Sequence, residues 1–236
     1  MSRHHYLDLP STMPYFRATV AVACLSVVFA TAAQAASAGF TDRCDTLVSR
    51  AQFTVELDDA VITRDNTRSL AHLKELARSA SGTSTNLQVF GLTLMQAKVQ
   101  RALGIGMLTD LDGTVCAVPS IVLTLGAQDL TVYLASELTK PCERAIVEEH
   151  EMEHVGVWRR HLRAGAQLIE PALRDNFARA FYFASADSAR SALRDRADAV
   201  LNPLLKNLQD GIAAANFQLD SPQSYEASAQ RQAACP

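Results

Sequence analysis

The sequence has no surplus of positive charge: 22 lysines and arginines stand against 25 aspartates and glutamates, a formal net charge of −3. That balance excludes an extended basic surface of the kind that holds nucleic acid. No apolar run reaches the roughly 20 residues that a spanning helix needs. The candidate, Ala18–Ala33, is short and is interrupted by Thr19, Ser26 and Thr31. Internal repeats and low-complexity linkers are also missing, which leaves one domain rather than an array. Histidine is scarce, with six residues, and tryptophan is represented by Trp158 alone.

What is present begins with an export leader. Arg17 precedes the apolar run, and Ala33-Gln34-Ala35 is an A-x-A cleavage pattern, so residues 1–35 read as a signal peptide. Residues 1–12 are mostly polar, which makes Met13 a second candidate start. Cys24 lies inside the run, not at its end, and so does not suit a lipid anchor. Cleavage after Ala35 leaves 36–236 as one domain with enough chain for a core. The mature chain carries 20 basic and 24 acidic residues, about −4. An exported, secreted or periplasmic protein with no stable membrane span is expected.

That mature chain keeps Cys44, Cys116, Cys142 and Cys235. An even number in an oxidising compartment reads as two disulfides, and the spacings do not match a four-cysteine zinc site. Of three possible pairings, Cys116–Cys142, bracketing an expected hairpin, and Cys44–Cys235, joining the ends, are favoured.

The chemistry centres on Val147-Glu148-Glu149-His150-Glu151-Met152-Glu153-His154-Val155, which contains H-E-x-x-H. On a helix, residues four apart share a face, so His150 and His154 aim two imidazoles at one cation. Glu151 is turned by about 100° from His150. Its carboxylate can reach water beside the metal without being a ligand, which suits a general base. Only His72, His150, His154 and His161 remain after the leader, and three of these fall within twelve residues. His161 shares the face but lies about 10 Å further along the axis, too far to share the metal.

Zinc needs a third protein ligand. If the motif helix ends near Gly165 and the chain packs back antiparallel, Asp175 is best placed, with Glu170 second. If the helix runs straight through, a later acid such as Asp195, Asp198 or Glu226 must serve. Tyr133, Tyr182 and Tyr225 are candidates for polarising a carbonyl. Asp110-Leu111-Asp112-Gly113-Thr114-Val115 resembles the first motif of the haloacid-dehalogenase-type phosphatases. The chain lacks the β/α alternation such a motif opens, and Asp112-Gly113 reads as a turn.

The pattern predicts helices over 41–51 and 65–80, strands at Phe53–Leu57 and Leu87–Thr93, and a loop at Ser81–Thr85. A short helix is expected over 94–104. Cys116–Leu125 and Leu130–Leu138 read as a strand pair joined by Gly126-Ala127-Gln128-Asp129. Pro119 puts the start of the first strand on an edge. The second strand, if an edge, offers pairing to an extended peptide. Beyond Cys142 the chain is helical, with interruptions expected at Gly165, Pro171 and Pro203. Asp220-Ser221-Pro222 reads as the cap of a last helix ending near Cys235. The fold class is α+β: a small mixed or antiparallel sheet, then a helical C-terminal half.

The motif helix, preceded by strands and followed by helices, resembles the zincin superfamily of metallopeptidases. Val89-Phe90-Gly91-Leu92-Thr93, the cysteine-bearing strands and the H-E-x-x-H helix also resemble a family of predicted secreted bacterial zinc proteases. The zincin resemblance implies Zn2+ on His150 and His154, Glu151 as general base, and hydrolysis of peptide or protein substrates. Zincins mostly place uncharged residues where this chain has Glu148 and Glu153. The contrasting reading is a non-catalytic, disulfide-stapled envelope binding protein without metal.

Overall fold

A computed structural model describes residues 38–81 and 88–236. The expected leader, Leu87 and most of the Ser81–Thr85 loop lie outside the described residues. Ten elements follow in order: α1 (Ala38–Ser49), β1 (Phe53–Asp58), β2 (Ile62–Asp65), α2 (Leu70–Ser81), β3 (Gly91–Thr109), β4 (Val115–Leu134), α3 (Pro141–Asn176), β5 (Phe181–Phe183), α4 (Ala186–Leu219) and α5 (Pro222–Ala233). The architecture is α+β, with a five-stranded mixed sheet and five helices.

The sheet is built on β4. Along one edge β3 pairs antiparallel over nearly its whole length, from Gly91 opposite Leu134 to Thr109 opposite Val115. Along the other edge three short strands lie end to end. These are β5 against Val115–Ala117, β1 against Ile121–Gly126 and β2 against Leu130–Tyr133. β5 is antiparallel to β4, whereas β1 and β2 are parallel to it in the same register. Pro119 therefore sits in a central strand, against the expectation of an edge. The exception is local. Ile121 donates its N–H to Gln52 on the β1 side, and Pro119, two residues earlier, faces the same edge. It falls between the end of β5 and the start of β1, where no ladder partner is required.

Two sequence expectations are corrected here. Gly126–Asp129 is not a hairpin loop but an irregular stretch inside β4, with Asp129 at φ 52° and a register shift opposite it between Leu94 and Gln96. A Cβ at Gly126 would come within 2.6 Å of Asp58 O and 2.7 Å of Asp58 Cβ, so glycine lets β1 pass close there, and Lys98 reaches across to Asp58 (2.7 Å). Residues 94–104 are strand, not helix. Their propensity for helix is overridden by pairing with β4 and by Leu103, Ile105 and Met107, which alternate against the core. The hairpin turn lies instead at Asp110–Thr114, where Asp110 N–H donates to Thr114 O and Gly113 N–H to Asp110 O. The phosphatase-like motif is thus the tip of an antiparallel hairpin. Because β4 is paired on both sides, Leu130–Leu134 is no edge.

α3 is one helix of 36 residues, about 54 Å long, through both Gly165 and Pro171. α4 runs 34 residues through Pro203. Each proline forfeits one backbone hydrogen bond, but apolar contacts on either side keep the axes continuous, in α4 through the partly buried Leu204, Leu205, Leu208 and Ile212 beyond Pro203. In α3 that stripe is Val155, Trp158, Leu162, Ile169 and Leu173, continued by Phe177; in α4 it is Ala189, Leu193, Ala197 and Leu201. These residues meet Ile121, Leu123 and Leu125 of β4 in the main core, and the Phe53 ring stacks on Phe177. Among the described residues no helix is long and apolar enough to cross a membrane.

The disulfides are Cys44–Cys116 and Cys142–Cys235, not the favoured pairing. Cys116 is buried in β4 with Phe40 and Cys44 of α1 packed over it, so it cannot reach the start of α3. Cys235 follows α5, which returns along α3 to Cys142.

Candidate metal centre

The site is built on the first turns of α3. Pro141 occupies the N-terminal turn, where its missing N–H costs nothing, and Arg144 donates back to Leu138 O. Val147, Glu151 and Val155 recur every four residues and form the face turned to the sheet. Glu151 therefore takes a core position. It is only 5% exposed, and it is the buried charged residue among those described. The charged positions Glu148 and Glu153 lie off this stripe, and Glu148 pairs with Arg64 at 2.9 Å.

β3 makes the pocket for Glu151. Thr93 Oγ1 lies 2.8 Å from Oε2 and 3.1 Å from the Glu151 carbonyl oxygen. Gly91 lies directly over the carboxylate. A Cβ there would come within 2.5 Å of Oε1 and 2.6 Å of Val147 Cγ1, so no side chain fits. Burial raises the Glu151 pKa above the usual carboxylate range, against the opposing pull of Thr93 and of the charges on His154 and His150.

The adjoining face carries His150 and His154, with side chains 14% and 13% exposed. α4 packs antiparallel to α3 and brings its C-terminal end to this level. Asp220 follows its last residue. Three atoms converge: His150 Nε2 and His154 Nε2 are 3.3 Å apart, and Asp220 Oδ1 is 3.3 Å from the first and 3.2 Å from the second. Bonds of about 2.0–2.1 Å in a tetrahedron give ligand separations of about 3.3 Å. The two imidazoles and the carboxylate therefore fit three corners around one small divalent cation, and these residues form a group that can hold a metal.

Charges around the group are strongly coupled. Burial alone would lower the His154 pKa. Bonds to Asp220 and to Asn216 Oδ1 (3.0 Å) outweigh it and push the pKa up to about 9. Asp220 loses solvation, yet His150, His154 and the Tyr225 hydroxyl, which donates to Oδ1 at 3.0 Å, hold its carboxyl well below the usual range. Tyr225 is itself raised by burial and by the Asp220 charge. Its ring lies 5.9 Å from that of His150.

The remaining sequence candidates stand elsewhere. Asp175 is 21 residues beyond His154 on the same unbroken helix, about 31 Å along the axis, so it is not the third corner. Glu170 accepts from Val55 N–H and from Arg174. Asp198 pairs with Arg101, and Asp195 and Glu226 are exposed. His161 Nδ1 contacts Val157 O within its own helix. Tyr133 packs in the Leu73 cluster, and Tyr182 edges the Phe40 ring.

The sequence offers Asp220 only within the cap Asp220-Ser221-Pro222, and that cap forms as expected, the Ser221 hydroxyl accepting from Ser224 N–H. A straight-through α3 requires α4 to return alongside it, and then an acid at the very end of α4 is the one that comes level with His154. Thr93 and Gly91 sit in the Val89–Thr93 stretch singled out for its resemblance, but their contact with Glu151 has no local signal. Comparison of this chain with family models, with curated proteins and with solved structures finds no match.

Proposed function

We propose that the protein is an exported zinc metallohydrolase, and specifically a peptidase of zincin-like organisation. The observation that carries this reading is the triangle of His150 Nε2, His154 Nε2 and Asp220 Oδ1, in which the two histidines share their turns of α3 with the buried Glu151 and Asp220 comes from the end of α4. His150, His154 and Asp220 are the residues that would hold Zn2+. When bound, zinc supplies Lewis acidity that polarises a carbonyl and makes water more acidic. Glu151, with its raised pKa, suits a group that takes a proton from the attacking water and passes it to the leaving amine. Thr93 keeps one carboxylate oxygen oriented for that exchange. Since β4 is interior, the strand edge closest to Glu151 for an extended peptide is that of β3, whose first residues touch it. The disulfides suit an oxidising compartment.

The competing reading, a metal-free binding protein, draws on the same hydrogen bonds. Asp220 is already satisfied by His150, His154 and Tyr225, and both imidazoles are well shielded. Metal analysis of the purified mature protein separates the two: about one zinc per chain is expected. His150→Ala and Asp220→Ala should abolish it, and Asp175→Ala should leave it intact. Glu151→Gln should keep the metal and remove peptide hydrolysis. A wild type that takes up no zinc from stoichiometric solution would overturn the hydrolase reading.

A further inference from the structure

We infer that Asn216 is a positioning residue for the metal centre: it accepts the His154 Nδ1–H and so keeps the Nε2 lone pair turned towards the cation. This rests on the metal reading above and extends it to a residue that touches no metal itself. An imidazole that gives Nε2 to a cation must carry its proton on Nδ1, and that proton needs an acceptor in a partly buried place. Asn216 Oδ1 is 3.0 Å from His154 Nδ1.

The contact follows from how the two long helices are brought together. Gly165 of α3 faces Leu208 of α4, with an added Cβ only 3.0 Å from Leu208 Cδ2, and Gly211 of α4 faces His161. These close approaches set an antiparallel register in which residue numbers across the pair sum to nearly the same value. Asn216 then lies opposite His154, and Asp220 opposite His150. One helix end thus supplies a metal ligand and, a turn earlier, the support for another. His150 differs, since among the described residues no hydrogen-bond partner faces its Nδ1. The choice of amide over carboxylate also matters. An amide behind His154 adds no second negative charge beside the centre, so a cation held there keeps more of its Lewis acidity.

The test is titration of the metal-free mature protein with Co2+ and Zn2+ against a competing chelator, following the visible absorption of Co2+. Wild type is expected to bind one equivalent. Asn216→Ala should weaken binding about 10- to 100-fold, the usual range when an outer partner of a ligating histidine is lost. Alanine is the better helix former, so that loss would not come from melting α4. Asn216→Leu keeps the branched shape without the acceptor and should lose affinity at least as much. Asn216→Asp restores the acceptor and should recover both the affinity and the Co2+ spectrum, with lower turnover. Asn216→Ala binding as tightly as wild type, or Asn216→Asp binding as weakly as Asn216→Ala, would overturn the assignment and leave the metal centre standing. A wild type without metal would remove both.

Discussion

Where α3 faces the sheet, Val147, Glu151 and Val155 are buried against strands whose own residues belong to the core. Where the same turns face α5, the opposing helix buries none of its residues. Glu151 therefore sits in a rigid slot made by Gly91 and Thr93. Asp220 sits between two helices and is kept near the imidazoles by a few polar contacts: Tyr225, the Arg231–Glu149 ion pair and the Cys142–Cys235 disulfide. The contrast teaches that the proposed base and the proposed third ligand are secured by different physics. The first depends on packing, which is dense and short-ranged. The second depends on the α3–α4 register together with covalent and polar tethers, which limit where a surface helix can wander.

Cutting the tether should give the largest effect. The Cys142–Cys235 bridge closes a separation of 93 residues, and loop-closure entropy for such a length is worth about 4–5 kcal/mol. Cys142→Ser with Cys235→Ser should lose much of that in urea unfolding and also weaken metal binding, while Glu151 stays buried. Gly91→Ala attacks the opposite side. Its Cβ overlaps Glu151 and Val147, so a loss of about 1–3 kcal/mol is expected, with metal affinity changed far less than turnover. Thr93→Val removes the hydroxyl facing a buried carboxyl group and should cost about 1–3 kcal/mol. Unlike the disulfide variant, it should leave the Co2+ spectrum as in wild type.

Acidity offers a gentler probe of the tethered side. His154 has its pKa raised from 6.5 to about 9 in the metal-free fold. A raised folded pKa contributes stability that is fully present below pH 6.5 and is lost as pH climbs to about 9. The urea midpoint of metal-free protein should fall across that window, and His154→Gln should flatten the fall. Zinc should reverse the trend, since binding needs the imidazoles without their extra protons. Smallest of all, Arg231→Ala should change stability by less than about 1 kcal/mol, because both partners of its ion pair are largely exposed. A loss approaching that of the disulfide variant would mean that the polar tethers hold the α5 side as firmly as the disulfide does.

Much of this could be read along the chain and some of it could not. Helical spacing was enough to put His150 and His154 on one face with Glu151 beside them. The pattern Val147–Glu151–Val155 even placed a carboxylate on an apolar stripe, a local sign of a buried acid. Asp220 was visible only as part of a helix cap. Its partnership with His154 spans 66 residues and depends on α3 continuing through Gly165 and Pro171. Rules about helix breakers argue locally, whereas the continuity of α3 comes from apolar contacts to β4 and α4.

The amino-acid order by itself determined the two-histidine motif, its neighbouring carboxylate, the α+β order of elements, the turn at Asp112-Gly113 and the capped last helix. Each of these follows from interactions between residues at most a few positions apart. Only the tertiary structure decided the cysteine pairing, the single long β4, the strand state of 94–104 and the approach of Asp220 to the two histidines. Those depend on contacts between distant segments, whose energy outweighs local preference once a core has formed around them.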